Sequence, residues 1–279
     1  MSRSVASGGM GQSRVWLVTG ASSGFGRALA TAAVEGGDVV VGAARRTSGL
    51  PDAVEPVGLD VTDPAAAAAV VDGVLERHGR LDVLVNAAGR ALIGAAEETT
   101  DAELRDLMEV HFFGPVALTR AALPHLRTQG SGAIVQFSSL GGRLSFPGVS
   151  AYSATKFALE GWSEALAAEV GPLGIRVLIV EPGAFRTGLH GAGMRMTEPI
   201  AAYDDVVGPV RKMQQDFDGT QPGDPAKAAA AILDALAAEE PPLRLVLGND
   251  AADAIAGSLE ANAAELRAWE HVARGTDLS

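Results

Sequence analysis

Short apolar runs alternate with helix-patterned segments along almost the whole chain. The runs are "VWLVT" at 15–19, "VVVGA" at 39–43, a shorter one at 57–59, "LDVLV" at 81–85, "IVQF" at 134–137, "IRVLIV" at 175–180 and "LRLVL" at 243–247. Several are rich in β-branched residues and lack apolar–polar alternation, the pattern of strands covered on both faces. In "TDPAAAAAVVDGVLERHG" Asp63 is placed to cap a helix and Pro64 to occupy its first turn. Further helix signals run over 100–126 and 223–240. Strands alternating with helices predict parallel strands joined by right-handed crossovers. The expected fold is therefore one α/β domain, a parallel sheet of about seven strands flanked by helices on both faces. The stretch 185–222, "FRTGLHGAGMRMTEPIAAYDDVVGPVRKMQQDFDGTQP", breaks the pattern. It is long for a connection and reads as an apolar lid, or as a surface excursion with one or two short helices.

Composition narrows the function classes. The 279 residues are 47% hydrophobic, ample for a buried core, and carry a formal charge of −12. An acidic surface disfavours nucleic acid and anionic membranes, so any phosphate must be held by local cations or backbone amides. The chain has no cysteine, which excludes disulfides, zinc–thiolate sites and thiol nucleophiles and suits a cytoplasmic location. No apolar run approaches the roughly 20 residues that span a bilayer. His78, His125, His190 and His271 are scattered without ligand spacing, so no metal site is expected. Residues 1–13 are small, polar and glycine-bearing; they read as a disordered leader or tag remnant, with Met10 an alternative start.

Candidate chemistry comes from two short segments. The chain has only two tyrosines, and Tyr152 stands four residues before Lys156 in "AYSATKFALEG". On a helix those positions share a face, which sets a phenol beside an ammonium. A free phenol titrates near 10, too high for a base at neutral pH. A neighbouring cation favours the phenolate, and a lowering of about two or three units brings it into range for general acid–base work. The other segment, "LVTGASSGFGRALA", follows the first strand and leads into a helix. Its Gly20, Gly24 and Gly26 are spaced G-x-x-x-G-x-G. A sharp turn of bare backbone before a helix start suits a pyrophosphate, and Ser22 and Ser23 add hydroxyl donors beside Phe25.

"TGASSGFG", "NAAG" at 86–89, a serine thirteen residues before the tyrosine, "YSATK" and "PGAFRT" occur in that order. Together, over roughly 14–189, they resemble the short-chain dehydrogenase/reductase family. The resemblance implies a doubly wound sheet of Rossmann type and a dinucleotide whose pyrophosphate lies on the glycine turn. In such sheets the loop after the second strand meets the adenosine ribose. Ala44 stands where NAD-preferring relatives carry aspartate, and Arg45 and Arg46 follow, which points to the 2′-phosphate of NADP(H). The other reading makes both arginines solvated loop charges. Asp60 and Val61 fall where the family holds adenine. Asn86, Ala87 and Gly89 match its Asn-Asn-Ala-Gly segment, with Ala87 in place of the second asparagine. Pro182 and Gly183 form a turn near the nicotinamide, and Thr187 matches the position that bonds its carboxamide.

By the same resemblance Ser139 holds the substrate oxygen, while Ser138 faces away because strand side chains alternate. Lys156 tunes Tyr152 and bonds the nicotinamide ribose. One position departs from the pattern: where the family carries asparagine in a segment like Val-Asn-Phe-Phe-Gly, this chain reads "VHFFG", with His111. That position holds a relay water through its backbone carbonyl, which survives the change. Two roles stand open for the His111 ring, a place in the proton path and the filling of the helix interior.

The resemblance thus implies an NADP(H)-dependent oxidoreductase that interconverts a secondary alcohol and a ketone or aldehyde. The alternatives are a non-catalytic NADP(H)-binding sensor or scaffold on the same fold, and a ketoacyl-carrier reductase. Intact Tyr152, Lys156 and Ser139 argue against the sensor; the acidic charge argues against an acidic carrier. Leu140, Leu144, Phe146, Met194 and Met196 are the expected walls of a lipophilic substrate site. A homodimer or homotetramer, built through the Tyr152 helix and its neighbour, is implied as well.

Overall fold

The computed structural model describes residues 13–189, 191 and 193–278. The leader reading of residues 1–12, Met10 included, and His190 of the lid segment lie outside the described residues. The strands are Val15–Thr19 (β1), Val39–Ala44 (β2), Glu55–Gly58 (β3), Val83–Asn86 (β4), Ala91–Ile93 (β5), Gly132–Phe137 (β6), Ile175–Pro182 (β7), Met194–Met196 (β8) and Arg244–Leu247 (β9). Helices are Gly24–Glu35 (α1), Pro64–His78 (α2), Asp101–Met108 (α3), Gly114–Gln129 (α4), Ser150–Val170 (α5), Asp204–Asp216 (α6), Pro225–Ala237 (α7) and Asn249–Arg274 (α8). Seven strands form one parallel sheet in the order β3-β2-β1-β4-β6-β7-β9. The seven apolar runs supply these seven strands. The inner strands are covered on both faces, which is why their runs do not alternate, whereas edge strand β3 alternates half-buried and exposed positions. Trp16, Val18 and Val85 pack on Leu29, Ala33 and Ile232 of α1 and α7. Leu17, Leu84 and Ile134 pack on Val71, Leu118 and Leu166 of α2, α4 and α5. After β3 the chain returns past β1 to β4, and this reversal opens a crevice at the carboxyl ends of the strands.

Local signals set several helix ends. Asp63 accepts from the amides of Ala65 and Ala66 at 3.0 and 3.2 Å, capping α2 as its position predicts. Thr100 and Glu103 form a reciprocal capping box at the start of α3. The 100–126 segment is helical throughout, but Glu109–Phe113 winds as a π-helical turn between α3 and α4.

The 185–222 stretch is more ordered than its sequence suggests. It contains α6, masked in the pattern by Gly208 and by Pro209 inside the helix. It also contains β8, which pairs with β5 as a small second sheet. Glu98 fastens the segment: its buried carboxylate accepts from Ala95 N at 2.6 Å, Ile200 N at 2.8 Å and Arg211 of α6 at 2.5 Å.

Candidate active site

A cleft of about 760 Å³ lies in that crevice, walled by the loops after β1, β2, β3, β4, β6 and β7. The glycine turn forms one wall through Gly20, Ser22, Ser23, Gly24 and Phe25. Gly20 sits at φ 67°, and a Cβ there would lie 2.9 Å from the carbonyl oxygen of Ala87, so only glycine fits. Thr19 Oγ1 accepts from Ala87 N at 3.0 Å and Ala88 N at 3.2 Å, locking the "NAAG" turn onto the glycine turn. Ser23 precedes α1 without capping it by its side chain, which leaves the first amides of the helix to an anion. Gly26 does not line the cleft. A Cβ there would meet Gly20 O at 2.5 Å, so this glycine serves the close approach of α1 to β1. Phe25 packs against Phe137 and Phe185, with ring centroids 5.3 and 5.1 Å apart.

Arg45 and Arg46 line the cleft on the β2 side of β1 and are exposed there. Asp60 and Val61 lie beside them. Asp60 accepts from Thr62 N at 3.1 Å and Thr62 Oγ1 at 2.8 Å, and these bonds hold its carboxyl below the usual range, with Arg45 adding to the effect. Ala87 and Gly89 line the cleft, but Asn86 does not. Its buried amide donates to Gln136 Oε1 at 3.1 Å and ties β4 to β6, so its place is structural rather than at the ligand. The residue missed in the sequence is Arg90. It lines the cleft and donates to Asp106 O at 3.0 Å, and it pairs with the Asp106 carboxylate. The signal available was its place straight after "NAAG".

Ser139, Tyr152, Lys156 and His111 line the cleft on the β6 side of β1, and Pro182, Gly183 and Thr187, from the end of β7 onward, line it as well. Lys156 is buried; its Nζ stands 5.7 Å from the Tyr152 ring centroid and donates to Phe137 O at 2.8 Å. Burial pushes the Lys156 ammonium down to about 8, with Glu160 opposing. Burial also raises the Tyr152 phenol, with the Ser139 hydroxyl opposing. For the protein alone, burial thus opposes the lowering that the lysine spacing predicts. The ammonium spends its bond on a carbonyl, and desolvation of the phenolate outweighs attraction to it. Ser138 also lines the cleft, but its hydroxyl is buried without a hydrogen-bond partner among the described residues.

The histidine that replaces asparagine is held at both nitrogens. His111 Nε2 accepts from Arg90 N at 3.1 Å, and a backbone amide can only donate. Nδ1 is therefore the protonated nitrogen; it donates to Thr155 Oγ1 at 2.8 Å, which donates to Tyr152 O at 2.7 Å. Burial, then Lys156 and Arg90, keep the imidazole well below its ordinary range. A neutral ring with both nitrogens engaged favours the interior-filling role, clamping the π-turn to α5.

The expected substrate walls are not in this lining. Leu140, Leu144, Phe146, Met194 and Met196 all lie outside it. Phe146 is 38% exposed, and the two methionines belong to β8, whose pairing with β5 fixes them at the small sheet. The lid segment contributes Gly188, Leu189 and Gly193 instead. Among the described residues no acidic or histidine cluster could hold a metal ion, and no helix is long and apolar enough to cross a membrane.

The geometry agrees with comparison to known proteins. The model of the short chain dehydrogenase family matches residues 14–197. The chain belongs to the short-chain dehydrogenase family. It is 37% identical over 267 residues to the oxidoreductase BOA17 of Botryotinia fuckeliana, covering 93% of this chain and 97% of that one. It is 36% identical to the 3-ketodihydrosphingosine reductase of Bacteroides thetaiotaomicron, covering 85% and 88%. A crystal structure of a short-chain dehydrogenase from Streptomyces avermitilis superposes with a TM-score of 0.90 at 58% identity, covering 96% and 100%. A Burkholderia cenocepacia short chain dehydrogenase in complex with NADP superposes with a TM-score of 0.72 at 27% identity, covering 92% and 97%. The chain is thus an oxidoreductase of the short-chain dehydrogenase family with a Rossmann-type sheet.

Proposed function

We propose that the protein is an NADP(H)-dependent oxidoreductase interconverting a secondary alcohol and a ketone or aldehyde, working chiefly as a reductase. The observation that carries this reading is the lining of one cleft by Ser139, Tyr152 and Lys156 on the β6 side of β1 and by Arg45 and Arg46 on the β2 side. The residues present fit the cofactor: uncapped α1 amides for the pyrophosphate, two guanidinium groups for a 2′-phosphate, Asp60 and Val61 for adenine, Pro182, Gly183 and Thr187 for the carboxamide end. Bound NADPH would supply the hydride that reaches the carbonyl carbon. Tyr152, whose phenol is raised and stays protonated, donates its proton to the oxygen as negative charge develops there. Ser139 donates a hydrogen bond to the same oxygen, and Lys156 holds the ribose while polarising the phenol. A named ketone reductase among the relatives and an NADP complex among the similar structures support substrate class and cofactor. The same reading makes the protein a cytoplasmic homodimer or homotetramer, in line with the exposed rings of Phe113 and Phe157 beside and on α5.

The test is NADPH consumption against a panel of ketones and aldehydes. Turnover of a ketone or aldehyde is expected, and Tyr152→Phe is expected to lower kcat at least about a hundredfold. NADPH that binds with no carbonyl turned over would sink the enzyme reading in favour of a sensor.

A further inference from the structure

Tyr152, Lys156, Glu160 and Glu164 follow one another at four-residue spacing on one face of α5. Only the first two enter the mechanism above. The Glu160 side chain is 5% exposed, an expensive place for a carboxylate unless it is paired. Arg244 of β9 supplies the pair: its Nε stands 3.0 Å from Glu160 Oε2, and its Nη2 donates to Glu164 Oε2 at 2.7 Å. The same Nε lies 3.3 Å from Glu181 Oε1 of β7, which Arg143 also reaches at 2.9 Å. Ser138, at the end of β6, lies beside Glu160. The second oxygen, Glu160 Oε1, is buried without a hydrogen-bond partner among the described residues. Gly142 lets the loop after β6 close on this face: a Cβ there would fall 3.0 Å from Glu160 Cγ and 3.3 Å from the Lys156 carbonyl carbon. Lys156, Arg143 and Arg244 therefore balance Glu160, Glu164 and Glu181 behind the cleft.

Resting on the function proposed above, we propose that Glu160 is a positioning residue for catalysis, a carboxylate fixed by Arg244 that supplies the countercharge keeping buried Lys156 an ammonium beside Tyr152. The other groups at Lys156 cannot do this. Tyr152 and His111 are neutral, and Phe137 offers a carbonyl. Burial drives Lys156 towards the neutral amine, and Glu160, one turn away, opposes it. Burial and Glu181 in turn push the Glu160 carboxyl up, and the Arg244 guanidinium on Oε2 opposes them. A neutral lysine would not polarise the phenol, so removing the countercharge should end activity at a lower pH.

The chain has only three lysines, and Lys212 and Lys227 are exposed. Side-chain NMR of nitrogen-labelled lysine therefore follows Lys156 directly, without turnover. In Glu160→Gln the Lys156 midpoint is expected to fall by about one unit or more, with Lys212 and Lys227 unmoved. The basic limb of the kcat/KM profile is expected to move down with it. Glu164→Gln, on the exposed end of the stripe, should leave both where they were. A folded Glu160→Gln protein with an unmoved Lys156 midpoint, or a moved midpoint with an unmoved basic limb, overturns the proposal. If Glu160→Gln does not fold, Glu160→Met, uncharged and of similar length, carries the same test. A downward shift supports the link, and no shift overturns it. A moved midpoint in a protein that reduces no carbonyl supports the electrostatic link and sinks the functional reading; an unmoved midpoint in an active enzyme sinks the link alone.

Discussion

Tyr152 and Lys156 stand one helical turn apart, yet burial moves each towards its neutral form. The magnitudes explain why. A charge pair about 6 Å apart in a medium of effective dielectric 20 attracts by roughly 3 kcal/mol, and full burial can shift a group by about three to five units. The Tyr–Lys spacing was legible in the sequence; the direction of the shifts was not, because it depends on water excluded by the whole fold. Arg45 offers a sharper test of cofactor choice. Arg45→Ala is expected to weaken NADPH binding about 10- to 100-fold and NADH binding only slightly, measured by fluorescence titration. Equal losses would mean that the guanidinium acts on the dinucleotide as a whole. His111 carries a pH prediction. Its folded-state value is depressed below the ordinary 6.5, so its contribution to stability is present above 6.5 and is lost as pH falls. Urea unfolding of wild type should therefore weaken more steeply below pH 6.5 than that of His111→Asn, by up to about 1.4 kcal/mol per pH unit. Parallel slopes would place a proton on the ring in the folded protein.

At the level of elements, the strands and caps were readable because their signals are local. Buried strands show as unbroken apolar runs, and Asp63 before Pro64 marks a helix start. The π-turn at Glu109–Phe113 has no such signature, since its bonds differ from those of an α-helix by one residue. Helix α6 answers to the reading of 185–222 as an excursion with short helices, although Gly208 and Pro209 inside it weaken the local signal. The fastening of this segment predicts where it opens. Glu98 is buried and holds Ala95, Ile200 and Arg211 together, so Glu98→Ala leaves the Arg211 charge uncompensated. Breaking such a pair costs about 3–5 kcal/mol. Hydrogen exchange over 194–216 should accelerate first, with the seven-stranded sheet still protected. Uniform acceleration would show that the segment unfolds only with the core.

At the scale of the molecule, the doubly wound order puts the loops after β1 to β4, β6 and β7 around one crevice, so residues far apart in sequence meet there. The net charge of −12 leaves phosphate recognition to that crevice, where Arg45, Arg46 and the α1 amides lie. Among the described residues several large apolar side chains are exposed. Phe157 of α5 is 46% exposed, and Trp269, on the part of α8 beyond its buried Ile255, is 64% exposed. The proposed oligomer is expected to run as a dimer or tetramer by light scattering at micromolar concentration, and Phe157→Glu is expected to reduce it to a smaller species. A wild-type monomer rejects the oligomer; dissociation by Trp269→Glu but not by Phe157→Glu moves the contact to α8.

The sequence by itself determined the strands, the glycine turn, the arginines after β2 and the Tyr–Lys register, because backbone propensity and side-chain period are written in neighbouring residues. Only the tertiary structure decided that Asn86 and Gly26 serve packing, that the five apolar candidates are not in the cleft lining, and that His111 is a neutral clamp. It also decided that Glu160 meets Arg244, 84 residues away. Contacts of that separation, and the exclusion of water that sets the charge of Lys156 and Tyr152, exist only once the chain has closed on itself.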